Sequence, residues 1–446
     1  MSFSAASLRE LLEDHTPAAA TGLAVAVSGG ADSACLLTAL ARLEPPFRRL
    51  PLRAVHVDHG LQPAAVEFRD ACEALCRRLG IVLDVVSVAV DSHDGVSLEA
   101  AARDARYAGL ARGFMAGECL VTAHHAEDQA ETLLLQMLRG AGLKGMSAMP
   151  FCRPWNGGWH LRPLLRIAQA ALRAFGEQEG VLAVHDPMND DPRFDRVYVR
   201  RRLWPLIEER WPGAASALSR GARHIAEGQE LLDHAAARAV QGLRDGNTLS
   251  VTGLRILSAP EQVNAVRYWI GTRHVPPPST TRLLEALRQI LGAEADQVPA
   301  IVWGAHALRR YRDRLFLTAA HAPTLGEARE WRVAAGESLE LSRELGALQW
   351  WPRSGGLDPT LLPAILVVRP RRGGETLKPH PRAATQSVQH LCQSLGVLPW
   401  LRDALPMVYA GDELVAVGDL WQDARWCVPA SAPGFACRWK DAPILV

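Results

Sequence analysis

The sequence lacks both a long apolar run and an excess of positive charge. Among its 446 residues we find no stretch of about 18 consecutive apolar residues, which argues against a membrane-spanning helix. The N-terminal segment contains acidic side chains and no long apolar core, so we expect no signal peptide. The net charge is +1, so any contact with nucleic acid must come from local patches. Lysine is scarce, at positions Lys144, Lys378 and Lys440 only, so arginine carries most of the positive charge.

The eight cysteines lack the spacing of a metal or redox motif. None forms a C-x-x-C pair, and Cys72 and Cys76, four apart on a predicted helix, have no His or Cys partner nearby in the sequence. We therefore expect buried free thiols, which fit a reducing cytoplasm. The hydrophobic fraction of 48% and the chain length predict two to four domains with real cores.

The most informative stretch covers residues 23–33 and reads LAVAVSGGADS. Its valine-rich start predicts a buried strand, two glycines break that strand, and leucines at helical spacing follow over 34–43. A strand, a glycine turn and a helix start in this order form a backbone pocket for phosphate. Asp32 would repel phosphate unless a cation lay between them, so the loop predicts phosphate together with Mg²⁺. The stretch lacks the Gly-Lys-Ser/Thr ending of a Walker A loop.

Strands and helices alternate through the first part of the chain. Further strands are predicted at 53–57, 81–90 and 119–123, with helices at 66–79 and 97–115 between them. This alternation predicts an α/β fold with a doubly wound parallel sheet and helices on both faces. Ligands of such sheets bind at the carboxyl ends of the strands. Three polar clusters fall at predicted strand ends, at 28–33, 56–59 and 124–128.

The last of these clusters lies in the segment 122–132, which reads TAHHAEDQAET. On a helix that began there, His124, Asp128 and Glu131 would share one face. A histidine beside carboxylates and a phosphate loop suits proton transfer and Mg²⁺ binding. The alternative is a helix N-terminus that carries acids because of its dipole, which would leave the paired histidines unexplained.

The character of the sequence changes after residue 212. We predict an α/β domain that contains the phosphate loop over 1–212, a mostly helical middle domain over 213–325 and a small α+β domain over 326–446. The segment 186–202 mixes acids, arginines and aromatics. This mixture fits either a charged, solvated helix or an edge that contacts nucleic acid.

Several motifs together resemble the bacterial tRNA(Ile)-lysidine synthetases, which belong to the N-type ATP pyrophosphatase or PP-loop superfamily, and the resemblance runs nearly end to end. The superfamily loop Ser-Gly-Gly-x-Asp-Ser is matched at 28–33, and the family motifs Ala-Arg-x-x-Arg-Tyr and His-His-x-x-Asp-Gln-x-Glu-Thr are matched at 102–107 and 124–132. A further motif corresponds to Asp186, Asn189, Asp195, Arg196 and Arg200, with Val197 where the family has asparagine. The C-terminal segment VRPRRGGE at 368–375 also resembles the family's last domain.

The resemblance implies that 1–212 is the catalytic ATP pyrophosphatase domain, that 213–325 binds tRNA and that 326–446 recognises tRNA. It further implies a two-step reaction. ATP would adenylate O2 of the wobble cytidine in an isoleucine tRNA with a CAU anticodon, and pyrophosphate would leave. The ε-amine of free L-lysine would then attack C2 and expel AMP. The resemblance thus implies ATP and Mg²⁺ as cofactors, tRNA(Ile) and lysine as substrates, no membrane partner, and a cytoplasmic monomer or homodimer.

It also implies roles for individual residues. The implied catalytic residues are Asp32, Arg103, His124, Asp128 and Arg196. The implied ATP contacts are Ser28, Gly29, Gly30, Ala31, Asp32, Ser33, Val57 and Arg106, and the implied Mg²⁺ ligands are Asp32 and Asp128. The implied tRNA contacts are Arg196, Arg200, Arg202, Arg371 and Arg372.

Two alternatives share the same loop. A thiolase-like tRNA-modifying enzyme would usually carry a C-x-x-C pair, which this sequence lacks. A non-catalytic tRNA-binding relative would not need Asp32, His124 and Asp128.

Overall fold

The computed structural model describes residues 3–43, 50–58, 65–89, 98–184, 193–294 and 297–444. The chain divides into two compact units, Met1–Leu232 and Asp233–Val446, which we call the N-terminal and C-terminal units. The finer division into three domains, with boundaries at 212 and 325, stays a prediction.

The N-terminal unit alternates strands and helices, as its sequence predicts. Its described helices, α1 to α9, are Ala5–Glu13, Ala31–Ala41, Ala65–Leu79, Leu98–Arg112, Ala126–Leu138, Leu143–Met146, Gln169–Gln178, Asp195–Tyr198 and Trp204–Arg210. Its described strands, β1 to β6, are Gly22–Ala26, Leu52–Asp58, Val82–Ser87, Glu118–Val121, Cys152–Trp155 and Gly158–Leu161. A π-helical turn, Val199–Leu203, connects α8 to α9. The long helix α10, Ala214–Leu243, contains the boundary between the two units.

The six strands form one sheet in the order β3-β2-β1-β4-β6-β5. The first five are parallel, and β5 pairs antiparallel with β6 at the edge. Successive side chains of β1 enter different cores: Leu23 and Val25 pack with α1, α2 and α7 residues, whereas Ala24 packs with Leu110 of α4. Helices therefore cover both faces, and the predicted doubly wound sheet is confirmed.

Two helix starts differ from the sequence predictions. Helix α2 begins at Ala31 rather than 34, so Asp32 lies in its first turn, where an acid is favourable to the helix dipole. Helix α5 begins at Ala126 with His125 as its N-cap. His124 therefore precedes the helix, and the predicted helical spacing from His124 to Asp128 is wrong.

The C-terminal unit contains a helical part and a strand-rich part. Its further helices, α11 to α14, are Val251–Ile256, Ala259–Gly271, Thr280–Gly292 and Val388–Leu395. Its strands, β7 to β21, are Arg244–Asp245, Thr248–Ser250, Ala300–Trp303, His306–Tyr311, Arg314–Ala319, Arg329–Arg332, Ser338–Ser342, Gly346–Ser354, Ile365–Arg369, Thr376–Leu377, Gln386–Ser387, Met407–Ala410, Glu413–Val417, Trp421–Gln422 and Pro433–Lys440.

Each part of this unit has its own core. Trp269, Leu283 and Ile290 of α12 and α13 pack with Leu308 and Leu315 of the sheet β7-β8-β11-β10-β9. The strand-rich part is centred on Trp331 and Trp350, whose rings stack with centroids 4.2 Å apart. The helical middle and the α+β end of the chain are thus confirmed. The middle part also holds a five-stranded antiparallel sheet, which the prediction of a mostly helical domain did not include.

In the part of the chain that the structure describes, no helix is both long and apolar enough to cross a membrane.

Candidate active site

The loop after β1 is held together by hydrogen bonds of Ser28 and Ser33. The backbone N–H of Ser28 donates to Ser33 Oγ at 3.2 Å, and that hydroxyl donates to the carbonyl of Gly30 at 3.0 Å. Gly29 has φ +82°, and a Cβ there would lie 3.0 Å from the carbonyl oxygen of Phe68 on α3. Only glycine combines this left-handed backbone with so close an approach. The loop is thus held in a shape that presents the N-terminus of α2 to the carboxyl edge of the sheet, where an anion can bind.

A cavity of about 310 Å³ lies at this edge. Seven residues predicted from the sequence line it: Ser28, Asp32, Ser33, Val57, Arg106, His124 and Asp128. His56 and Asp58, from the end of β2, also line it, so side chains that follow three neighbouring strands converge. Gly29, Gly30, Ala31, Arg103, Arg196 and Arg200 lie outside this lining.

His125, which the sequence analysis did not assign to the site, is at the centre of a group of carboxylates. Its Nε2 lies 3.5 Å from Asp32 Oδ2 and 3.4 Å from Asp128 Oδ2, and its Nδ1 lies 3.0 Å from Glu127 Oε2. Burial alone would lower the pKa of this imidazole. Hydrogen bonds to Asp32 and Glu127 and the charge of Asp128 outweigh burial and raise the pKa to about 10. His125 is therefore a cation at neutral pH.

Two arginines bind the carboxylates of α5 from another side. Arg196 donates from Nη2 to Asp128 Oδ1 at 2.8 Å and from Nε to Glu131 Oε2 at 2.9 Å. Arg200 donates from Nε to Glu131 Oε1 at 2.7 Å and from Nη2 to Asp128 Oδ1 at 3.1 Å. Burial would raise the pKa of Asp128, but the charges of His125 and Arg196 outweigh it and hold that pKa well below its usual range. Arg196 and Arg200 are thus paired with α5, so the solvated-helix alternative does not describe them.

His124 belongs to a different, uncharged group. Its Nδ1 lies 2.8 Å from Thr122 Oγ1, and the same hydroxyl lies 2.9 Å from His160 Nε2. Burial is the main cause that lowers the pKa of His124 to about 3, and the cations Arg162, Arg196 and Arg106 add to it. Burial and Arg162 likewise lower the pKa of His160 to about 2. Both imidazoles are therefore neutral at neutral pH.

The remaining predicted site residues are not among those that line the cavity. Arg103 is exposed on α4, with its guanidinium 5.5 Å from the centre of the Tyr107 ring. Arg202 is exposed at the end of the π-helical turn. In the C-terminal unit, Arg371 Nε lies 3.6 Å from Glu375 Oε2, and Arg372 is exposed. Three further residues named from the sequence, His59, Asp186 and Asn189, lie outside the described residues.

Models of three protein families match the chain along its length. They describe a PP-loop domain over residues 2–207, a TilS substrate binding domain over 249–316 and a TilS substrate C-terminal domain over 366–439. A curated tRNA(Ile)-lysidine synthase from Alkalilimnicola ehrlichii is 38% identical and aligns over 93% of both chains. The enzyme of the same name from Methylococcus capsulatus is 38% identical over 88% of this chain and 90% of its own. The chain belongs to the tRNA(Ile)-lysidine synthase family.

Membership of the tRNA(Ile)-lysidine synthase family confirms the resemblance seen in the sequence. It supports a ligase that forms a carbon–nitrogen bond, with ATP use and tRNA binding, over the thiolase-like and non-catalytic alternatives. The expectation of free thiols is also confirmed, because all eight cysteines are free. The roles of individual site residues stay predictions.

Proposed function

We propose that this tRNA(Ile)-lysidine synthase joins lysine to C2 of the wobble cytidine in tRNA(Ile) with a CAU anticodon. ATP activates O2 of the cytidine as an adenylate, with release of pyrophosphate. The ε-amine of free L-lysine then attacks C2, and AMP leaves with O2. One observation carries the proposal: a chain related to these synthases over nearly its whole length gathers a phosphate-type loop, Asp32, His124 and Asp128 around one cavity.

The loop and the basic side chain of Arg106 supply the contacts that a nucleotide needs. The amides at the start of α2 and the hydroxyl of Ser28 can donate to phosphate oxygens, whereas the Ser33 hydroxyl already donates to the carbonyl of Gly30 and shapes the loop. Arg106 lines the same cavity and can neutralise charge on the phosphates.

The carboxylates of the cavity fit a magnesium ion unequally. Mg²⁺ in nucleotide sites is usually held by one or two carboxylates together with phosphate oxygens. Asp32 fits this role, since its side chain is 32% exposed and its ion pair is with His125 alone among the described residues. Asp128 is already paired with His125, Arg196 and Arg200. We therefore propose Asp32 as the main protein ligand of Mg²⁺ and Asp128 as a minor one, and the ion would neutralise phosphate charge near the loop.

Partners and location follow from the same proposal. The cavity contains the anionic side chains of Asp32 and Asp58, which would attract the ammonium group of lysine. Exposed arginines, Arg202 and Arg372 among them, would contact the phosphates of tRNA. We propose a cytoplasmic enzyme that acts as a monomer or homodimer, and the free thiols agree with that compartment.

Mass spectrometry of the wobble nucleoside tests the function directly. Purified protein is incubated with ATP, Mg²⁺, lysine and unmodified tRNA(Ile) with a CAU anticodon, and the tRNA is digested to nucleosides. We expect lysidine in place of cytidine, and no product when lysine or ATP is omitted. An elongator methionine tRNA, which carries the same anticodon, is the matched control. Sulfur-containing nucleoside, or unchanged cytidine under every condition, would contradict the proposal.

A further inference from the structure

A buried chain of polar side chains crosses the sheet from β6 to β4 and ends at His124. His160 lies on β6 and is 0% exposed, and Arg162, 3% exposed, is the residue directly after that strand. Arg162 Nη2 lies 3.1 Å from His160 Nδ1, and His160 Nε2 lies 2.9 Å from Thr122 Oγ1. Thr122 directly follows β4, the parallel neighbour of β6, and its hydroxyl reaches His124 Nδ1. Neither the sequence analysis nor the proposed function uses Thr122, His160 or Arg162.

The direction of the first hydrogen bond is fixed by chemistry. A guanidinium has N–H donors and no acceptor, so Arg162 must donate to His160 Nδ1. A histidine that accepts at Nδ1 is neutral and carries its proton on Nε2. His160 Nε2–H therefore donates to Thr122 Oγ1. A protonated His160 would place an N–H against the N–H of Arg162, which burial and the arginine charge both disfavour.

The donor and acceptor roles of the Thr122 hydroxyl determine the protonation of His124 Nδ1. Its hydroxyl accepts from His160 and has one proton of its own to donate. Among the described residues, His124 Nδ1 is the remaining partner of that hydroxyl, so a different orientation would leave a buried O–H without an acceptor. His124 consequently accepts at Nδ1 and carries its proton on Nε2. His124 also lines the nucleotide cavity, so this Nε2–H is the polar group it has for a ligand.

We propose that Arg162, His160 and Thr122 are positioning residues that hold His124 as the Nε2–H tautomer. In this state His124 donates a hydrogen bond to an oxygen of the bound substrates and does not take a proton from the lysine amine. The oxygen is either a phosphoryl oxygen of the adenylyl group or O2 of the cytidine, since both are acceptors. The tautomer itself is a property of the free protein, and only the identity of the acceptor rests on the proposed function.

The placement of Arg162 supports a directing role. This arginine is buried, it has no carboxylate partner among the described residues, and its Nη1 donates to the carbonyl of Pro150 at 2.9 Å. Burial lowers its pKa to about 10, so the side chain stays charged at neutral pH. A buried cation without a counter-ion is costly to keep for packing alone. Here Arg162 has N–H donors and no acceptor, so the direction of its hydrogen bond to His160 is fixed.

The tautomer can be read by NMR of the free, full-length protein with ¹⁵N-labelled histidine rings. Two-bond proton–nitrogen correlations distinguish Nδ1–H from Nε2–H, and the spectrum of His124→Gln assigns the signals. We expect His124 and His160 both to carry the proton on Nε2. A proton on His124 Nδ1 in the wild-type protein overturns the proposal, whether or not the protein makes lysidine.

A matched pair of His160 variants tests whether this series of hydrogen bonds affects the rate of adenylation. In His160→Gln, the side-chain carbonyl can accept from Arg162 and the amide can donate to Thr122. The variant therefore keeps the donor-to-acceptor direction of both hydrogen bonds. His160→Leu removes both bonds at similar size. We expect His160→Leu to show a second tautomer of His124 and an adenylation kcat lowered about 5- to 10-fold, with KM for ATP nearly unchanged, as for the loss of one oriented hydrogen bond. His160→Gln should retain the wild-type tautomer and most of the rate.

The outcomes of this pair separate the possible failures. Equal losses in both variants, with His124 still protonated on Nε2, would mean that His160 acts through packing and would overturn the proposal. A non-hydrolysable ATP analogue and a cytidine-containing anticodon RNA are each added to the labelled protein. The one that shifts the His124 Nε2–H signal carries the acceptor oxygen. If the tautomer and the adenylation rates are as expected but no lysidine forms, the positioning role of Arg162, His160 and Thr122 is supported and the proposed function is contradicted.

Discussion

Two neighbouring histidines at the start of α5 have opposite protonation states. His124 is neutral, with a pKa of about 3, and is linked to a threonine and a second neutral histidine. His125 is a cation, with a pKa of about 10, and is surrounded by Asp32, Glu127 and Asp128. The two rings are adjacent in the chain, and burial lowers the pKa of both, so burial does not explain the difference.

The charged groups near each ring explain the difference in pKa. An ammonium, guanidinium or imidazolium near a buried imidazole disfavours its charged form, whereas a carboxylate favours it. The backbone turns at the N-cap, so one ring points to the polar residues beyond β4 and β6 and the other points to the carboxylates of α2 and α5. The cavity therefore has a neutral side that can donate a hydrogen bond and a charged side that can organise phosphates and cations.

The largest effect is expected from Asp32→Ala. The carboxylate lies at the entrance of the loop, is part-exposed and is the proposed Mg²⁺ ligand, so adenylation should fall below detection. The fold should stay intact, because this side chain is not part of the core. ATP–pyrophosphate exchange in the presence of tRNA measures the rate, and thermal unfolding measures the fold. Near wild-type lysidine formation by Asp32→Ala would mean that the loop assignment is wrong.

Removal of the neutral ring comes next. His124→Ala should lower kcat by about 10²–10³-fold, as for the loss of one preorganised hydrogen-bond donor, with a small change in Tm, since the ring lines the cavity and Thr122 can be solvated in its absence. His124→Gln keeps an N–H donor near the position of Nε2 and should recover much of that rate. Single-turnover adenylation of the two variants decides the matter. A large drop in Tm with an unchanged rate would assign His124 a structural role instead.

On the charged side, Glu131→Gln should act mainly on stability. Glu131 is 1% exposed and accepts from both Arg196 and Arg200, so its loss leaves two partly exposed arginines to share Asp128. Breaking a fully buried ion pair on one side costs about 3–5 kcal/mol. Urea unfolding should report a loss below about 3 kcal/mol, because both arginines reach solvent, and Asp128 and the neutral amide still accept hydrogen bonds. Glu127→Gln, at the same helix end, is the comparison that removes a carboxylate from His125 and leaves the contacts of both arginines in place.

The pH dependence of stability isolates His125. Its folded pKa of about 10 exceeds the unfolded value of ~6.5, so the folded state binds one proton more between these values. The stabilisation by charged His125 is thus full below about pH 6.5 and is lost as pH rises through about 10. We expect the difference in unfolding free energy between wild type and His125→Gln to shrink by roughly 1 kcal/mol per pH unit from pH 7 to 9. A difference that stays constant over this range would mean that His125 is neutral.

The sequence predicted the parts of this site that depend on local order. The glycine loop, the strand that precedes it and the parallel sheet all follow from short patterns between residues 23 and 123, and the structure confirms the sheet. Asp32, His124 and Asp128 reach one cavity because the carboxyl ends of neighbouring parallel strands meet at one edge.

The sequence could not reveal what depends on strand order and on side-chain partners. His160 and Arg162 alternate in the segment 158–162, GWHLR, but their link to Thr122 exists only because β6 lies beside β4. His125 was not assigned to the site because His124 was predicted to lie on the helix, and a sequence does not show where a helix begins to within one residue. The residues alone left Arg196 and Arg200 as either solvated charges or nucleic-acid contacts, since their carboxylate partners are more than sixty residues away in the chain.

The smallest effect is expected at Arg202, which shares a segment with Arg196 and Arg200. The latter two are paired with the charged side of the cavity, whereas Arg202 is exposed and is a predicted phosphate contact. Arg202→Ala should leave Tm unchanged, weaken binding of all tRNAs by a similar small factor, and reduce the slope of log affinity against log salt by about 1. Arg343→Ala, an exposed arginine on the turn between β13 and β14, is a control for charge alone. Filter binding of tRNA(Ile) and elongator methionine tRNA at several salt concentrations measures the slope. An unchanged slope with a lowered Tm would place Arg202 with the structural arginines and remove it from the tRNA surface.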